Sequence, residues 1–172
     1  LEGSDITAIL ALCAEGKRPP KADGRAKKAN YMKEYAARLR RLICEEVSAA
    51  DYEYPLAGTH IVVDAGNGAG GFYATEVLAP LGADITGSQF LEPDGHFPNH
   101  VPNPEDADAM ASACAATLRA GADLGVIFDT DVDRAGCVVI DGLEITRIRL
   151  IALGAYIAME KCPGGTVVTD SV

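Results

Sequence analysis

The sequence predicts an α/β domain, a layered α/β/α arrangement in which helices cover both faces of a mixed sheet. Between residues 56 and 145, short runs of β-branched residues alternate with helical patterns, as they do in α/β layer domains. A glycine-rich turn follows the first of these runs, and a cluster of aspartates follows a later one. Hydrophobic residues make up 48% of the 172 residues, which is enough for a folded core.

Two helices are predicted ahead of this domain. The first spans residues 4–15 and ends at Gly16, and a segment rich in lysine, proline and glycine follows through Lys28. The second spans about residues 30–47 and carries its apolar residues on one side. We expect that side to pack against another element.

The domain itself should alternate strands with helices. We predict strands at residues 59–64, 82–90, 123–129 and 135–141, and helices at residues 72–81 and 104–120. The second of these helices has a well-marked start, since Asn103 can cap it, Pro104 suits its first turn and two acidic residues follow. Gly121 is the expected end of that helix.

The C-terminal part is predicted to form a hairpin, a helix and a further strand. Asp141 and Gly142 lie between two strand-like runs, which is typical of a tight hairpin turn. Thr146 is the expected cap of a helix that continues to Lys161, and residues 166–170 are the expected strand. The chain starts without a methionine and stops after this run, so we expect it to be part of a longer protein.

The charge distribution argues against nucleic-acid binding. Residues 51–172 contain five basic and 18 acidic residues, whereas a phosphate backbone attracts basic surfaces. The basic stretch at residues 16–28 has no aromatic residue and is interrupted by proline and glycine, as linkers are. No apolar run reaches the ~18 residues of a membrane-spanning helix, so we expect no membrane partner either.

Cysteine and histidine give little functional signal. The five cysteines form no C-x-x-C pair, and an odd, unpatterned count predicts reduced thiols and a cytoplasmic protein. His96 and His100 lie in a loop rich in proline and glycine, and none of the three histidines has zinc-ligand spacing. We expect the histidines to be structural or exposed.

The sequence FDTDVDR, residues 128–134, is the sharpest candidate site. Asp129, Asp131 and Asp133 alternate with other residues, so in an extended segment their carboxylates would point to the same side. Three such charges repel one another unless a cation lies among them. The pattern predicts a site for a hard divalent cation, Mg²⁺, with coordination positions left for a phosphate.

The same aspartates also fit a second interpretation, the active site of a phosphatase. A phosphatase of the haloacid-dehalogenase type carries a nucleophilic aspartate in D-x-D-x-T or D-x-D-x-V after a buried strand. Asp129 and Asp131 fit that pattern, but Asp133 stands where Thr or Val is expected. An EF-hand loop that starts at Asp129 is excluded, because its sixth and twelfth positions would be Arg134 and Ile140.

The sequence GNGAGG, residues 66–71, matches the glycine pattern of dinucleotide-binding turns. The acidic residue that would bind a ribose is missing, since Gln89 and Phe90 end the predicted second strand. Asp64 also places a negative charge beside the presumed pyrophosphate site. A tight turn between a strand and a helix is the simpler interpretation.

Three segments taken together resemble a known family. VVDAGNGAGG, EPDGHFPNHVPNPE and GADLGVIFDTDVDRAG occur in this order, as in the second domain of the α-D-phosphohexomutase superfamily, the phosphomannomutase and phosphoglucomutase group. The resemblance implies three regions: residues 1–55 end a first domain and add linker helices, residues 56–145 form the metal-loop domain, and residues 146–172 begin a third domain. Many members have D-G-D-G-D-R or D-P-D-A-D-R at the metal loop, whereas this chain has Thr130 and Val132.

The resemblance also implies a mechanism. In the family a phosphoserine gives its phosphoryl group to a hexose 1- or 6-phosphate, and the bisphosphate intermediate reorients and returns the other phosphoryl group. Asp129, Asp131 and Asp133 correspond to the Mg²⁺ ligands, and Arg134 corresponds to a catalytic residue that holds phosphate oxygens. The expected partners are a hexose phosphate, the bisphosphate intermediate and the remaining domains of the same chain.

The family's other catalytic loops are absent from these 172 residues. None of the five serines lies in a T-A-S-H-N-P phosphoserine loop, and the G-E-x-S-G-H sugar loop is missing. We therefore expect the chain by itself to fold without turning over a sugar phosphate, since it has no phosphoryl group to donate.

Overall fold

The computed structural model describes residues 2–16, 24–47 and 52–169. Contacts divide the chain into two units, residues 1–30 and residues 31–172. The first unit contains helix α1, Gly3–Ala14, which confirms the helix predicted there and has no buried residue. All other elements belong to the second unit. The domain boundaries predicted from the sequence stay predictions.

The second unit is built on a four-stranded mixed sheet. Strand β1 runs parallel to β2, whereas β2 with β3 and β3 with β4 are antiparallel. The fold class predicted from the sequence, an α/β/α layer with a mixed sheet, is therefore confirmed. The strands are β1, Ile61–Asp64; β2, Leu124–Phe128; β3, Ala135–Val139; and β4, Glu144–Ile145.

Packing on both faces of the sheet produces the layers. Neighbouring residues of a strand face opposite sides, so Val62 and Val63 contact different clusters. Val62 packs with Ala116 of helix α3, Ala107–Ala120. Val63 packs on the other side with Ala74. Every residue of β1 is buried, as expected for a strand covered on both faces.

The segment predicted as one regular helix over residues 72–81 is helical but irregular. It consists of two 3₁₀ turns, Ala69–Gly71 and Ala79–Leu81, on either side of a π-helical stretch, Tyr73–Leu78. Pro80 has no N–H group to bond the carbonyl of Glu76 four residues earlier. Arg40 donates a hydrogen bond to that carbonyl instead. Proline thus breaks the regular pattern, and an arginine from another helix satisfies the freed oxygen.

Residues 82–90 form no continuous strand, so the strand predicted there is wrong. The segment lies parallel to β1 but pairs with it only at two isolated bridges, His60 with Asp84 and Asp64 with Gln89. Between the bridges the hydroxyl of Ser88 accepts the N–H of Val63 and so replaces a backbone partner. A strand needs the backbone ladder that this side chain interrupts.

Helix α2, Met32–Glu46, packs through its predicted apolar side. Ala36 is buried with Val77 and Leu81, and other apolar residues of the helix surround this cluster. A row of aromatic rings continues the contact to the sheet, with neighbouring ring centroids 4.4–5.9 Å apart. The row consists of Tyr35, Phe72, Tyr73 and Phe128.

The pKa of Tyr73 predicts a loss of stability at alkaline pH. Burial, followed by the hydrogen bond and charge of Tyr35, raises the pKa of Tyr73 from 10.0 to about 12. The folded state then holds the phenol proton more tightly than the unfolded state, so the free energy of unfolding falls as pH rises from about 10 to about 12. Tyr73→Phe should reduce this loss in urea unfolding at high pH. Tyr156→Phe, which removes an exposed hydroxyl, should not.

Helix α3 begins three residues later than predicted. Asp106 is its cap, and the carboxylate accepts the N–H groups of Asp108 and Ala109 at 3.1 and 3.0 Å. The prediction that Asn103 caps the helix is wrong, because the chain forms a separate turn before the helix starts. The predicted end at Gly121 is confirmed, since this residue adopts a left-handed conformation with φ of 62°.

The hairpin predicted at Asp141–Gly142 is confirmed. The N–H of Val139 donates to the carbonyl of Leu143, and Gly142 has a φ of 75°. Helix α4, Arg147–Lys161, follows and has no buried residue. Residues 166–169 form no strand, and Asp170 lies outside the described residues.

Among the described residues, no helix has the length and apolar character that crossing a membrane requires. The five cysteines are all free thiols in the structure.

Candidate metal and phosphate site

The three aspartates lie in the loop that joins β2 to β3. The strands end and begin at Phe128 and Ala135, which pair directly with each other. One ligand oxygen from each of Asp129, Asp131 and Asp133 lies within 4.8 Å of the others. The segment between the strands is a turn rather than extended chain. The carboxylates therefore meet because the loop folds back, not through the alternation expected from the sequence.

The three carboxylates have different surroundings. Asp129 is buried, and its side chain is only 1% exposed. Its oxygens accept the backbone N–H of Arg134 at 3.1 Å and the Nε–H of Arg134 at 3.0 Å. Asp131 and Asp133 are exposed. The loop thus has one fixed acidic residue at its base and two that are accessible from solvent.

The charges of the cluster shift the pKa values in opposite directions. Burial opposes ionisation of Asp129, but hydrogen bonds from Asp133 and from Arg134, together with the charge of Arg134, lower its pKa overall. The shared hydrogen bond with Asp129, then burial and the charges of Asp129 and Asp131, raise the pKa of Asp133. Asp129 is therefore the more acidic of the two carboxyl groups.

Oxygen ligands of this kind suit a hard divalent cation. Mg²⁺ is bound in proteins through a few carboxylates, with water or phosphate in its other positions. Asp129, Asp131 and Asp133 offer three carboxylates on one short loop, and two are open to solvent. The residues present therefore fit the ion that the family resemblance implies.

Arg134 reaches beyond the cluster to a second loop. Its Nη1–H donates to the side-chain oxygen of Asn103 at 2.7 Å, and the side chain is 48% exposed. A cavity of about 580 Å³ has Arg134 in its lining, and one of about 640 Å³ has Asp131 in its lining. The loop is therefore accessible from two sides.

The glycine-rich turn packs directly on this loop. A Cβ atom on Gly68 would lie 2.8 Å from the carbonyl oxygen of Thr130, and the N–H of Ala69 donates to that same oxygen at 2.9 Å. A Cβ atom on Gly71 would lie only 1.8 Å from the carbonyl oxygen of Leu91. The glycines are needed because neighbouring backbone approaches them closely.

The amide groups of the turn are used within the chain. The four N–H groups of residues 66–69 donate to oxygens of this protein at 2.7–2.9 Å, which leaves none of them to bind a pyrophosphate. The acceptors are a carboxylate oxygen of Asp64 and the carbonyl oxygens of Phe90, Ala65 and Thr130. The geometry favours the tight-turn interpretation over dinucleotide binding.

A buried pair of polar side chains, His100 and Asp64, lies beside this turn. The Nε2 atom of His100 is 3.0 Å from a carboxylate oxygen of Asp64, and the two side chains are 6% and 0% exposed. The other ring nitrogen faces the carbonyl oxygen of Val101 at 2.9 Å. His100 is thus structural, whereas the side chain of His96 is 95% exposed. No spacing in the sequence pairs Asp64 with a histidine 36 residues later.

The comparison with known families matches this geometry. The model of a domain described as phosphoglucomutase/phosphomannomutase, alpha/beta/alpha domain II, matches residues 33–142, more than half of the chain. The chain belongs to this family. The match includes strands β1, β2 and β3, the glycine turn and the complete aspartate loop. The family resemblance predicted from the sequence is therefore confirmed.

Curated relatives agree with the assignment. A phosphomannomutase/phosphoglucomutase of Pseudomonas syringae is 39% identical over 110 residues, 64% of this chain and 23% of the relative. A phosphomannomutase of Escherichia coli is 31% identical over 169 residues, 94% of this chain and 36% of the relative. The chain thus spans about a quarter to about a third of the length of these relatives.

A solved structure of the family resembles the chain over nearly its full length. It is a phosphoglucomutase/phosphomannomutase family protein from Burkholderia thailandensis, which is 27% identical and gives a TM-score of 0.76. The similarity covers 95% of this chain and 33% of that protein.

The same geometry disfavours a phosphatase of the haloacid-dehalogenase type. Asp129 would have to be the nucleophile, but its side chain is 1% exposed and both oxygens accept hydrogen bonds from Arg134. A nucleophile must be within reach of the phosphorus atom. In this phosphohexomutase-family chain, Asp129 instead fixes Arg134 through both of its oxygens.

Val132 marks the departure from the family's metal-loop pattern. Its φ of 66° lies in the left-handed region, which costs a β-branched residue about 1–2 kcal/mol. We expect Val132→Gly to be more stable than Val132→Ala by about 1 kcal/mol in urea unfolding, because only glycine relieves this strain. At Thr130, which has no positive φ, the order should be reversed. Equal stability of the two Val132 variants would contradict the strain.

Proposed function

We propose that this chain is the metal-loop domain of a phosphohexomutase of the phosphomannomutase/phosphoglucomutase type. The observation that carries the proposal is the convergence of three carboxylate oxygens within 4.8 Å, on a loop fixed by Arg134. The names of the relatives support the reaction class, an interconversion of hexose 1-phosphate and hexose 6-phosphate. Transfer through a phosphoserine is what the family resemblance implies.

Asp129, Asp131 and Asp133 would hold Mg²⁺. A bound Mg²⁺ supplies positive charge that stabilises a phosphoryl group during transfer. Arg134 donates hydrogen bonds to phosphate oxygens, since its guanidinium is half exposed and its planar group matches phosphate geometry. In the structure, Asp129 holds that guanidinium through the Nε–H bond.

We propose that the remaining parts of the site belong to other domains of the full-length protein. A hexose phosphate and a hexose bisphosphate are the proposed partners, and the cytoplasm is the proposed location. The phosphoserine and the groups that orient the sugar lie outside these 172 residues. The preference between glucose and mannose phosphates depends on those groups.

The test is a coupled assay of hexose-phosphate isomerisation with Mg²⁺ and a hexose bisphosphate activator. The full-length protein should turn over substrate, and Asp131→Ala should lose nearly all of that activity, while Asp141→Ala in the exposed hairpin turn should keep it. The 172-residue chain alone should show none. Turnover by the chain alone, lost on Asp131→Ala, would show that it carries its own phosphoryl donor.

A further inference from the structure

The guanidinium of Arg134 has partners of two chemical kinds. Its Nε–H donates to Asp129 at 3.0 Å, and Nε also lies 3.6 Å from a carboxylate oxygen of Asp133. Its Nη1–H donates to the amide oxygen of Asn103 at 2.7 Å. The two carboxylates belong to the proposed metal cluster, whereas the amide is a neutral group on another loop, 31 residues before Arg134.

A cation in the cluster competes with Arg134 for the same oxygens. A carboxylate oxygen that is shared with a divalent cation has less negative charge to offer a guanidinium, and the two positive charges repel each other. Asn103 has no part in that competition, because its amide oxygen carries no charge and its residue belongs to another loop, 31 residues before Arg134. Because 48% of its side chain is exposed, packing holds Arg134 only in part, and its hydrogen bonds must do the rest.

Asn103 is itself held in place before it meets the arginine. Its side-chain oxygen also accepts the N–H of Glu105 at 3.2 Å. Its backbone N–H donates to the carbonyl of Val101 at 2.8 Å, and its carbonyl accepts the N–H of Asp106 at 3.0 Å. The acceptor is therefore fixed by a turn, so little side-chain freedom is lost when Arg134 binds it.

The loop that carries Asn103 is anchored to the sheet. His100 binds the buried carboxylate of Asp64 at the end of β1, and Asn99 donates to the side chain of Asn67 at 2.7 Å. These contacts tie the segment before Asn103 to the glycine turn, which in turn packs on the metal loop. The position of the amide oxygen is thus set by the fold.

We propose that Asn103 is a positioning residue, which keeps Arg134 beside the metal loop when a divalent cation occupies the three carboxylates. Its effect is to keep the other N–H groups of the guanidinium available for a phosphate. The inference rests on the proposed Mg²⁺ site and deepens it.

Nuclear magnetic resonance of the 172-residue chain tests this. The measured quantities are the order parameter of the Arg134 Nε–H group and the shifts of the loop amides, with and without saturating Mg²⁺. In the wild type we expect Arg134 to stay ordered in both conditions. In Asn103→Ala, Arg134 should be ordered without Mg²⁺, because Asp129 still binds it. With Mg²⁺, the order parameter of its Nε–H group should fall below about 0.6. Asn103→Asp keeps an acceptor oxygen and should restore order.

Asn99→Ala is the matched control, since it loosens the same loop without touching Arg134. Release of Arg134 by Asn99→Ala as well would overturn the specific role of Asn103. An Arg134 that stays ordered in Mg²⁺-loaded Asn103→Ala would overturn the inference alone. Loop amides that do not shift with Mg²⁺ in the wild type would overturn the proposed metal site and the inference with it.

Discussion

Asp131→Asn is expected to abolish high-affinity binding of Mg²⁺ by this chain. A residue that only hydrogen-bonds to a metal ligand typically contributes 10- to 100-fold to metal affinity. Loss of one of the three carboxylate ligands themselves should therefore weaken binding by more than about 100-fold. Asp131 is the informative position because it is exposed and its carboxylate does not hold Arg134 in place. Isothermal titration with Mg²⁺ measures the affinity directly.

Thermal unfolding gives a second measure of the same substitution. Asp131 is one of the charges that raise the pKa of Asp133, so Asp131→Asn removes repulsion and should leave the metal-free chain at least as stable. Saturating Mg²⁺ should raise the melting temperature of the wild type but not of the variant. Asp141→Asn, in the exposed hairpin turn, is the control and should respond like the wild type. A variant that still responds to Mg²⁺ would show that Asp131 is not a ligand.

Gly71→Ala is expected to destabilise the fold by more than about 3 kcal/mol or to prevent folding. A Cβ atom at this position would lie 1.8 Å from the carbonyl oxygen and 2.7 Å from the carbonyl carbon of Leu91, which are backbone atoms that cannot turn aside. The loop at residues 91–103 would have to move, and with it the segment that carries Asn103. Urea unfolding followed by circular dichroism measures the change.

Gly95→Ala provides the matched control for that experiment. It lies in the same loop, and a Cβ atom there would meet nothing within 4 Å. Its effect on the free energy of unfolding should stay within about 0.5 kcal/mol. If the two variants were equally stable, the packing explanation of the glycine turn would fail, and a ligand-binding role for these glycines would regain support.

Local patterns predicted the elements whose hydrophobic period or turn signal is contained in a few consecutive residues. The apolar runs at β1 and β2, the one-sided pattern of α2, and the turn at Asp141–Gly142 all gave elements close to those observed. The segment at residues 82–90 did not, because the hydroxyl of Ser88 takes the place of a backbone partner of β1. This hydrogen bond joins Val63 and Ser88, which lie 25 residues apart in the sequence, so a local pattern could not show it.

The same distinction, between local patterns and contacts of distant residues, applies to the candidate site. Three aspartates at alternate positions, followed by Arg134, were evident from the sequence because all the residues lie on one short loop. The partners that fix this loop were not evident. Asn103 looked like a helix cap, since asparagine before proline is typical of one, and its bond to Arg134 spans 31 residues.

The sequence by itself thus determined the family, the layer architecture and the identity of the acidic residues. The tertiary structure alone decided how those residues are held. It buries Asp129 against Arg134, pairs Asp64 with His100, and uses the glycine turn to support Thr130. The physical reason is that spacing along a chain specifies which side chains share a loop or a face, whereas hydrogen bonds and close contacts between distant segments depend on the folded backbone.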